Sequence, residues 1–178
     1  MVRTSGLTSE TRQPPAAEAH VDFTTQSARR LADALYKANR PDGAGYDRFI
    51  AFSLWRAISP PPQDMPLALC EAGPVRDDEG TRNTKVDVDV IPTGDALWAD
   101  IPGEDEMPAA TIFHHSPDHR WWYFPDMTAD EVILIKFHDS DHARAWRCPH
   151  TAFRDTSRPN ATERRSMEFR GVAFFTRD

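Results

Sequence analysis

His20 and Asp22 stand two residues apart in the stretch Ala19-His20-Val21-Asp22-Phe23-Thr24, where polar and apolar residues alternate. Alternation at this spacing predicts a strand, and in a strand residues i and i+2 point to the same face. An imidazole and a carboxylate would then converge on one point. A further histidine from a later strand would complete a set of two nitrogens and one carboxylate oxygen. That set holds a non-haem Fe(II) on one side and leaves positions open for a co-substrate and O₂. His150, in Cys148-Pro149-His150-Thr151-Ala152-Phe153, is the candidate, because it follows the apolar run 131–138 and precedes the last strand-like segment. His20, Asp22 and His150 are therefore the expected metal ligands and catalytic centre.

Arg164-Arg165-Ser166 opens that last segment. A 2-oxoglutarate co-substrate that chelates a metal through its keto-acid end needs a fixed cation for its other carboxylate. An arginine fork binds a carboxylate in two places, and a hydroxyl two residues on faces the same way. Arg164 with Ser166 fits that need. Arg170 shares the parity of Arg164, so the choice of anchor between Arg164 and Arg170 stays open. A second histidine-rich set, His114, His115 and His119 with His138, Asp139 and His142 downstream, reads as polar turns and sheet edges; His119 and Asp139 are expected to line the pocket. Trp121, Trp122, Tyr123 and Phe124 would place aromatics on both faces of one strand, half in the core and half against an apolar substrate.

The elements that must position these residues are mostly strands. Residues 26–39 have helical spacing, with Ala28, Leu31, Ala32 and Leu35 on one face, Thr24 or Thr25 as cap, and Pro41 and Gly43 as stop. Strands are expected at 19–24, 47–58, 66–71, 86–91, 110–114, 120–124, 131–138, 148–153 and 165–175, separated by clusters of Pro, Gly and Asp. Many short strands with turn signals between them predict a β sandwich or barrel; with the two-histidine, one-carboxylate site, the expected fold is a mostly β double-stranded β-helix (jelly roll) with one or two flanking helices. Residues 1–17 read as a poorly anchored start, 18–178 as the β domain, and the acidic stretch 74–109 as a mobile excursion over its surface.

The chain has 178 residues, a net charge of −7 and a pI near 5.5. An acidic chain of this kind argues against a nucleic-acid partner. It has no apolar run long enough to span a membrane and no leader-like start, which predicts a cytoplasmic protein. Cys70 and Cys148 read as two reduced thiols.

Taken together, these stretches resemble the fungal non-haem iron hydroxylase/desaturase family, which includes a gibberellin desaturase and has bacterial relatives labelled cephem methoxylase components. The resemblance runs from about Gln13 to Phe175. It rests on Ala19-His20-Val21-Asp22-Phe23-Thr24, Leu54-Trp55-Arg56, Pro66-Leu67-Ala68-Leu69-Cys70-Glu71 and His119-Arg120-Trp121-Trp122-Tyr123-Phe124-Pro125. Downstream it rests on Asp130 to Lys136, Pro149 to Phe153, and Arg164-Arg165-Ser166-Met167-Glu168-Phe169-Arg170. The resemblance implies an Fe(II)- and 2-oxoglutarate-dependent enzyme that hydroxylates or desaturates a small apolar natural product in secondary metabolism. The other reading is an inactive, shortened relative that binds a small molecule or a protein. Such relatives carry a long segment, including a first barrel strand, before the His-x-Asp strand. Its shortness here predicts an open sheet edge beside the ligand strand, self-association through that edge, and partial exposure of Phe23, Phe49 and Trp55.

Overall fold

The computed structural model describes residues 2–6, 9 and 12–176. Its strands, in chain order, are β1 (Val2–Thr4), β2 (Arg12–Gln13), β3 (His20–Val21), β4 (Arg48–Ala57), β5 (Leu67–Cys70) and β6 (Thr81–Thr84). They continue as β7 (Ala109–Ile112), β8 (Trp121–Tyr123), β9 (Ile133–Asp139), β10 (His150–Ala152) and β11 (Arg165–Phe175). One helix, α1 (Thr25–Asn39), lies between β3 and β4.

The strands form two sheets, ordered β2-β1-β11-β4-β9 and β6-β7-β3-β10-β5-β8. Every pairing is antiparallel except β1 with β2. This is the double-stranded β-helix that the sequence predicts. β4 shows why the pattern was readable: Phe49, Ala51, Ser53, Trp55 and Ala57 are buried, while the residues between them face away. Ala51, Trp55 and Ala57, with Ile133, Ile135 and Phe137 of β9, meet Val21 and Leu67 of the other sheet in one core. Strands paired over nearly their whole length, such as β4 and β11, make the rigid half of the sandwich.

Helix α1 starts where a capping box allows it. The Thr24 hydroxyl accepts from the Ser27 amide at 3.1 Å, and the Ser27 hydroxyl accepts from the Thr24 amide at 2.9 Å. Ala28 and Ala32 are buried against Phe49, Tyr46, Val172 and Phe174. Leu31 and Leu35 stay on the shoulder of that face and are exposed.

Four expectations change. Residues 2–4 are not a loose start: β1 pairs with Thr4–Val2 against Arg165–Met167, beside the strand that carries Arg164 and Ser166 into the site. The ligand strand β3 sits inside its sheet, between β7 and β10, not next to a gap. Phe49 and Trp55 are buried, Phe49 under Ala28 and Ala32 of the helix and Trp55 in the core between the sheets, while Phe23 is only partly buried, as expected. Residues 86–91 form no strand although Val86, Val88 and Val90 alternate. They are exposed and have no apolar surface to face, whereas the polar run Thr81–Thr84 pairs with β7 instead. The chain between β6 and β7 passes through short 3₁₀ turns at Gly94–Trp98 and Glu104–Glu106, tethered by Arg82 to the carbonyls of Glu104 and Met107.

Candidate metal centre

β3 and β10 are direct neighbours, and His20 is paired with His150 across them. Asp22 follows β3 on the same side as His20, with 3.9 Å between His20 Nε2 and Asp22 Oδ1. One ligand atom from each of His20, Asp22 and His150 lies within 4.8 Å of the others; among the described residues this is the one such group of three or more. Both rings are turned the same way. His20 Nδ1 is 2.8 Å from the Glu18 carbonyl and His150 Nδ1 is 3.1 Å from the Cys148 carbonyl. A carbonyl only accepts, so each Nδ1 carries the proton and each Nε2 keeps its lone pair facing the shared point.

Electrostatics agree with a neutral, ligand-ready imidazole. Burial, and then neighbouring His20, hold His150 well below the ordinary imidazole range. Phe137 lies almost parallel to the His150 ring at 5.5 Å and fixes its orientation.

The same cavity is lined by His20, Asp22, His150, Arg164, Glu168 and Arg170. The two arginines do different things. Arg164 is buried, with its guanidinium 5.5 Å from the Trp55 ring and one Nη donating to the Met65 carbonyl. Its Nε has no partner, and neither has the Ser166 hydroxyl, also buried. Burial, followed by the Arg3 charge, presses the Arg164 pKa down to about 10, which still leaves it charged at neutral pH. Leaving two such polar atoms buried and unbonded is unfavourable, on the order of 1–3 kcal/mol each. A carboxylate placed between them would remove that cost. Arg170 instead sits 3.2 Å from Asp22 Oδ2, donates to Glu168, and covers the Phe137 ring. Its position against Asp22 was not legible in the sequence, where it stood only as a second carboxylate anchor.

Other expected site residues lie elsewhere. Asp139 does not line this cavity: it is fully buried and held by Arg48 in a two-point pair at 2.8 and 2.6 Å, and by Lys136 at 3.0 Å. His119 bonds Glu79 at 2.8 Å and faces a separate groove. Trp121, Trp122, Tyr123 and Phe124 are all exposed, since β8 is an edge strand with no sheet beyond it. Cys70 and Cys148 are both free thiols, and burial pushes the Cys148 thiol up to about 11.

The two sheets make a mostly β domain, and its donor set His20, Asp22 and His150 is of a kind that could hold a metal ion. A family model described as "Oxidoreductase/YMDC permease-like domain" matches residues 1–174, and the chain belongs to that family. Among curated proteins it is similar to the hydroxylase/desaturase efuI of Hormonema carpetanum, 29% identical over 93% of this chain and 54% of that protein. It is also similar to the hydroxylase/desaturase asaB of Aspergillus flavus, 33% identical over 72% of this chain and 56% of that protein. The chain thus spans about half the length of the curated relatives it matches. Among solved structures it superposes on an iron and alpha-ketoglutarate-dependent endoperoxidase, NvfI, with a TM-score of 0.78 and 24% identity over 99% of this chain and 60% of that one. That likeness establishes the fold. The resemblance to fungal hydroxylase/desaturases read from the motifs is the one the comparisons return. No helix among the described residues is long and apolar enough to cross a membrane.

Proposed function

We propose that the chain is the core of an Fe(II)- and 2-oxoglutarate-dependent oxidoreductase that hydroxylates or desaturates a small apolar secondary metabolite. The observation that carries this reading is the pairing of two features in one cavity. One is the set His20, Asp22 and His150, with both Nε2 atoms free. The other is the buried, unpartnered Arg164 Nε, with the Ser166 hydroxyl two residues on.

These residues fit the two groups. His20, Asp22 and His150 would hold Fe(II), which when bound supplies the activation of O₂ that oxidises an unactivated C–H bond. Arg164 and Ser166 would take the distal carboxylate of 2-oxoglutarate and so fix which end of it faces the ligand set. Trp55 shields the Arg164 guanidinium from water, which strengthens the ion pair it would make. Leu67, Ile135 and Ala152 wall the cavity with hydrocarbon and exclude water from the reacting bond. The Arg170 charge sits 3.2 Å from Asp22 Oδ2, and Oδ1 is the oxygen on the His20 side.

Calorimetry tests this without turnover. The expected result is one Mn(II) bound per chain, weakened at least about 100-fold in His150→Ala and Asp22→Ala. 2-Oxoglutarate should then bind the Mn(II)-loaded chain and lose about 30-fold or more in Arg164→Met, since removing one partner of a buried charge pair costs roughly 2–5 kcal/mol. Weakened 2-oxoglutarate binding in Arg170→Met instead would move the anchor to Arg170. A chain that binds no metal keeps the fold as a binding module and loses the enzymatic reading.

A further inference from the structure

The six-stranded sheet has a second face, and it is not bare. Thr151 of β10 is paired with Ala68 of β5, and Ala68 with Tyr123 of β8. Paired residues share a face, and His150 next to Thr151 points the other way, so this row lies outside the barrel. The chain leaves β7 at one side of β3 and returns as β8 beyond β10 and β5. Residues 113–120 therefore bridge three strands as an arch. It is pinned at one end by the Phe113 amide on the Ala19 carbonyl and at the other by the Glu71 amide on the Arg120 carbonyl. His119 against Glu79 and His114 against Thr81 brace it from the side.

Between arch and sheet is a groove of about 540 Å³, within the range of small-molecule sites. Its floor is made of small side chains, Ala17, Ala19 and Ala68 with Thr151, which leave a flat surface. One wall is aromatic: Trp121 and Tyr123, with Phe153 edge-on to Tyr123 at 5.1 Å. The arch adds polar groups without a fixed charge, the imidazoles of His114 and His115, the Ser116 hydroxyl, and the His119 ring that bonds Glu79 behind it. Among the described residues no Lys, Arg, Asp or Glu lines it. A flat floor beside aromatic rings suits a planar ring system, and the absence of fixed charge suits a neutral one. We propose that this groove is a second binding site, separate from the metal centre, for a neutral, flat, ring-containing small molecule with a hydroxyl or carbonyl at its edge. Thr151 touches both cavities, so occupancy of one is felt at a residue adjoining a ligand of the other.

The probe is 2-naphthol, titrated into the 178-residue chain by calorimetry. The expected result is saturable binding of one molecule per chain. It should weaken at least tenfold in Trp121→Ala, which removes an exposed wall residue, and vanish in Ala68→Trp, which fills the floor. In His150→Ala it should stay within about threefold of wild type. Should Ala68→Trp fail to fold, Trp121→Ala alone decides. Non-saturable uptake, binding unchanged in the groove variants, or loss in His150→Ala each overturn the proposal. The last would place the probe at the metal cavity. Because the probe needs no metal, a failed groove and a failed metal reading give different results.

Discussion

A histidine two residues before an aspartate carries little information alone; what makes His20 and Asp22 a site is the state of the atoms not facing it. Each histidine spends Nδ1 on a carbonyl, and Asp22 Oδ2 faces the Arg170 guanidinium 3.2 Å away as an ion pair without a hydrogen bond. On the proposed reading the ligand atoms are therefore preselected before any metal arrives. Groups that orient ligands in this way typically contribute 10–100-fold to metal affinity. Arg170→Ala should accordingly weaken Mn(II) binding by about tenfold or more while the thermal midpoint changes little, because Arg170 is partly exposed. Mn(II) titration monitored by electron paramagnetic resonance reads this directly. An unchanged affinity would mean that Asp22 needs no help from Arg170. The motif itself was legible because spacing encodes facing in a strand. Arg170's role was not, because its partner lies 148 positions away (170 − 22) and nothing local in the sequence links them.

At the level of elements, legibility followed burial. α1 and the long strands β4, β9 and β11 announced themselves, since each alternates or cycles against a core. β6 did not: Thr81-Arg82-Asn83-Thr84 has no apolar residue, and it is a strand only because β7 offers a partner. β1 is three residues near the start of the chain, and its pairing with β11 is a long-range event. Val86 to Ile91 misled for the opposite reason, having the pattern of a strand and no neighbour. The capping box at α1 gives a sharp test. Thr24→Ala removes the acceptor for the Ser27 amide and should cost about 1 kcal/mol. That lowers the thermal midpoint by roughly 2–4 °C in a domain of this size. Circular dichroism melts of the two proteins measure it; a shift below 1 °C would show that Ser27, which also donates to the Ala109 carbonyl at 2.8 Å, holds the helix start unaided.

The molecule as a whole should be acid-labile, and the sign can be worked out. His138 is buried on β9 against Phe49, and burial, then the charge of His142, brings its pKa down to about 4. The folded chain keeps this ring neutral while the unfolded chain protonates it below about 6.5. The unfolded state then binds more protons, so the stability this ring confers is present above about pH 6.5 and fades as pH falls toward 4. Asp139 is shifted in the same direction: despite burial, Arg48, the Asp141 amide and Lys136 hold it well below the usual carboxylate range. Its share of stability is present above about pH 3.9 and is lost only below that. Urea midpoints should therefore decline in two stages, and His138→Phe should flatten the first. A midpoint constant from pH 7 to 4.5 contradicts this account. Part of the apolar surface that remains exposed lies on a sheet face, where Phe169, Leu54 and Leu134 stand side by side across β11, β4 and β9.

One feature of the fold ties metal binding to a distant loop. β3 is two residues long, and much of what aligns it is β7: His20 pairs with Ile112, Val21 with Thr111, the Thr24 amide bonds the Ala109 carbonyl, and Thr111 donates to the Phe23 carbonyl. β7 is in turn one arm of the β6–β7 hairpin, whose other end is the exposed stretch 85–107. A metal that fixes His20 and Asp22 must stiffen this hairpin by the same free energy with which the hairpin favours the metal. The hairpin then acts as a latch on the site: what loosens β7 from β3 weakens the hold on the ion by the same free energy. Hydrogen exchange at the amides of Thr111 and Phe113 should slow on adding Mn(II), and a protease cut between residues 85 and 107 should speed metal loss. Equal exchange with and without metal would mean that β3 is held by β10 alone, and that the latch does not exist.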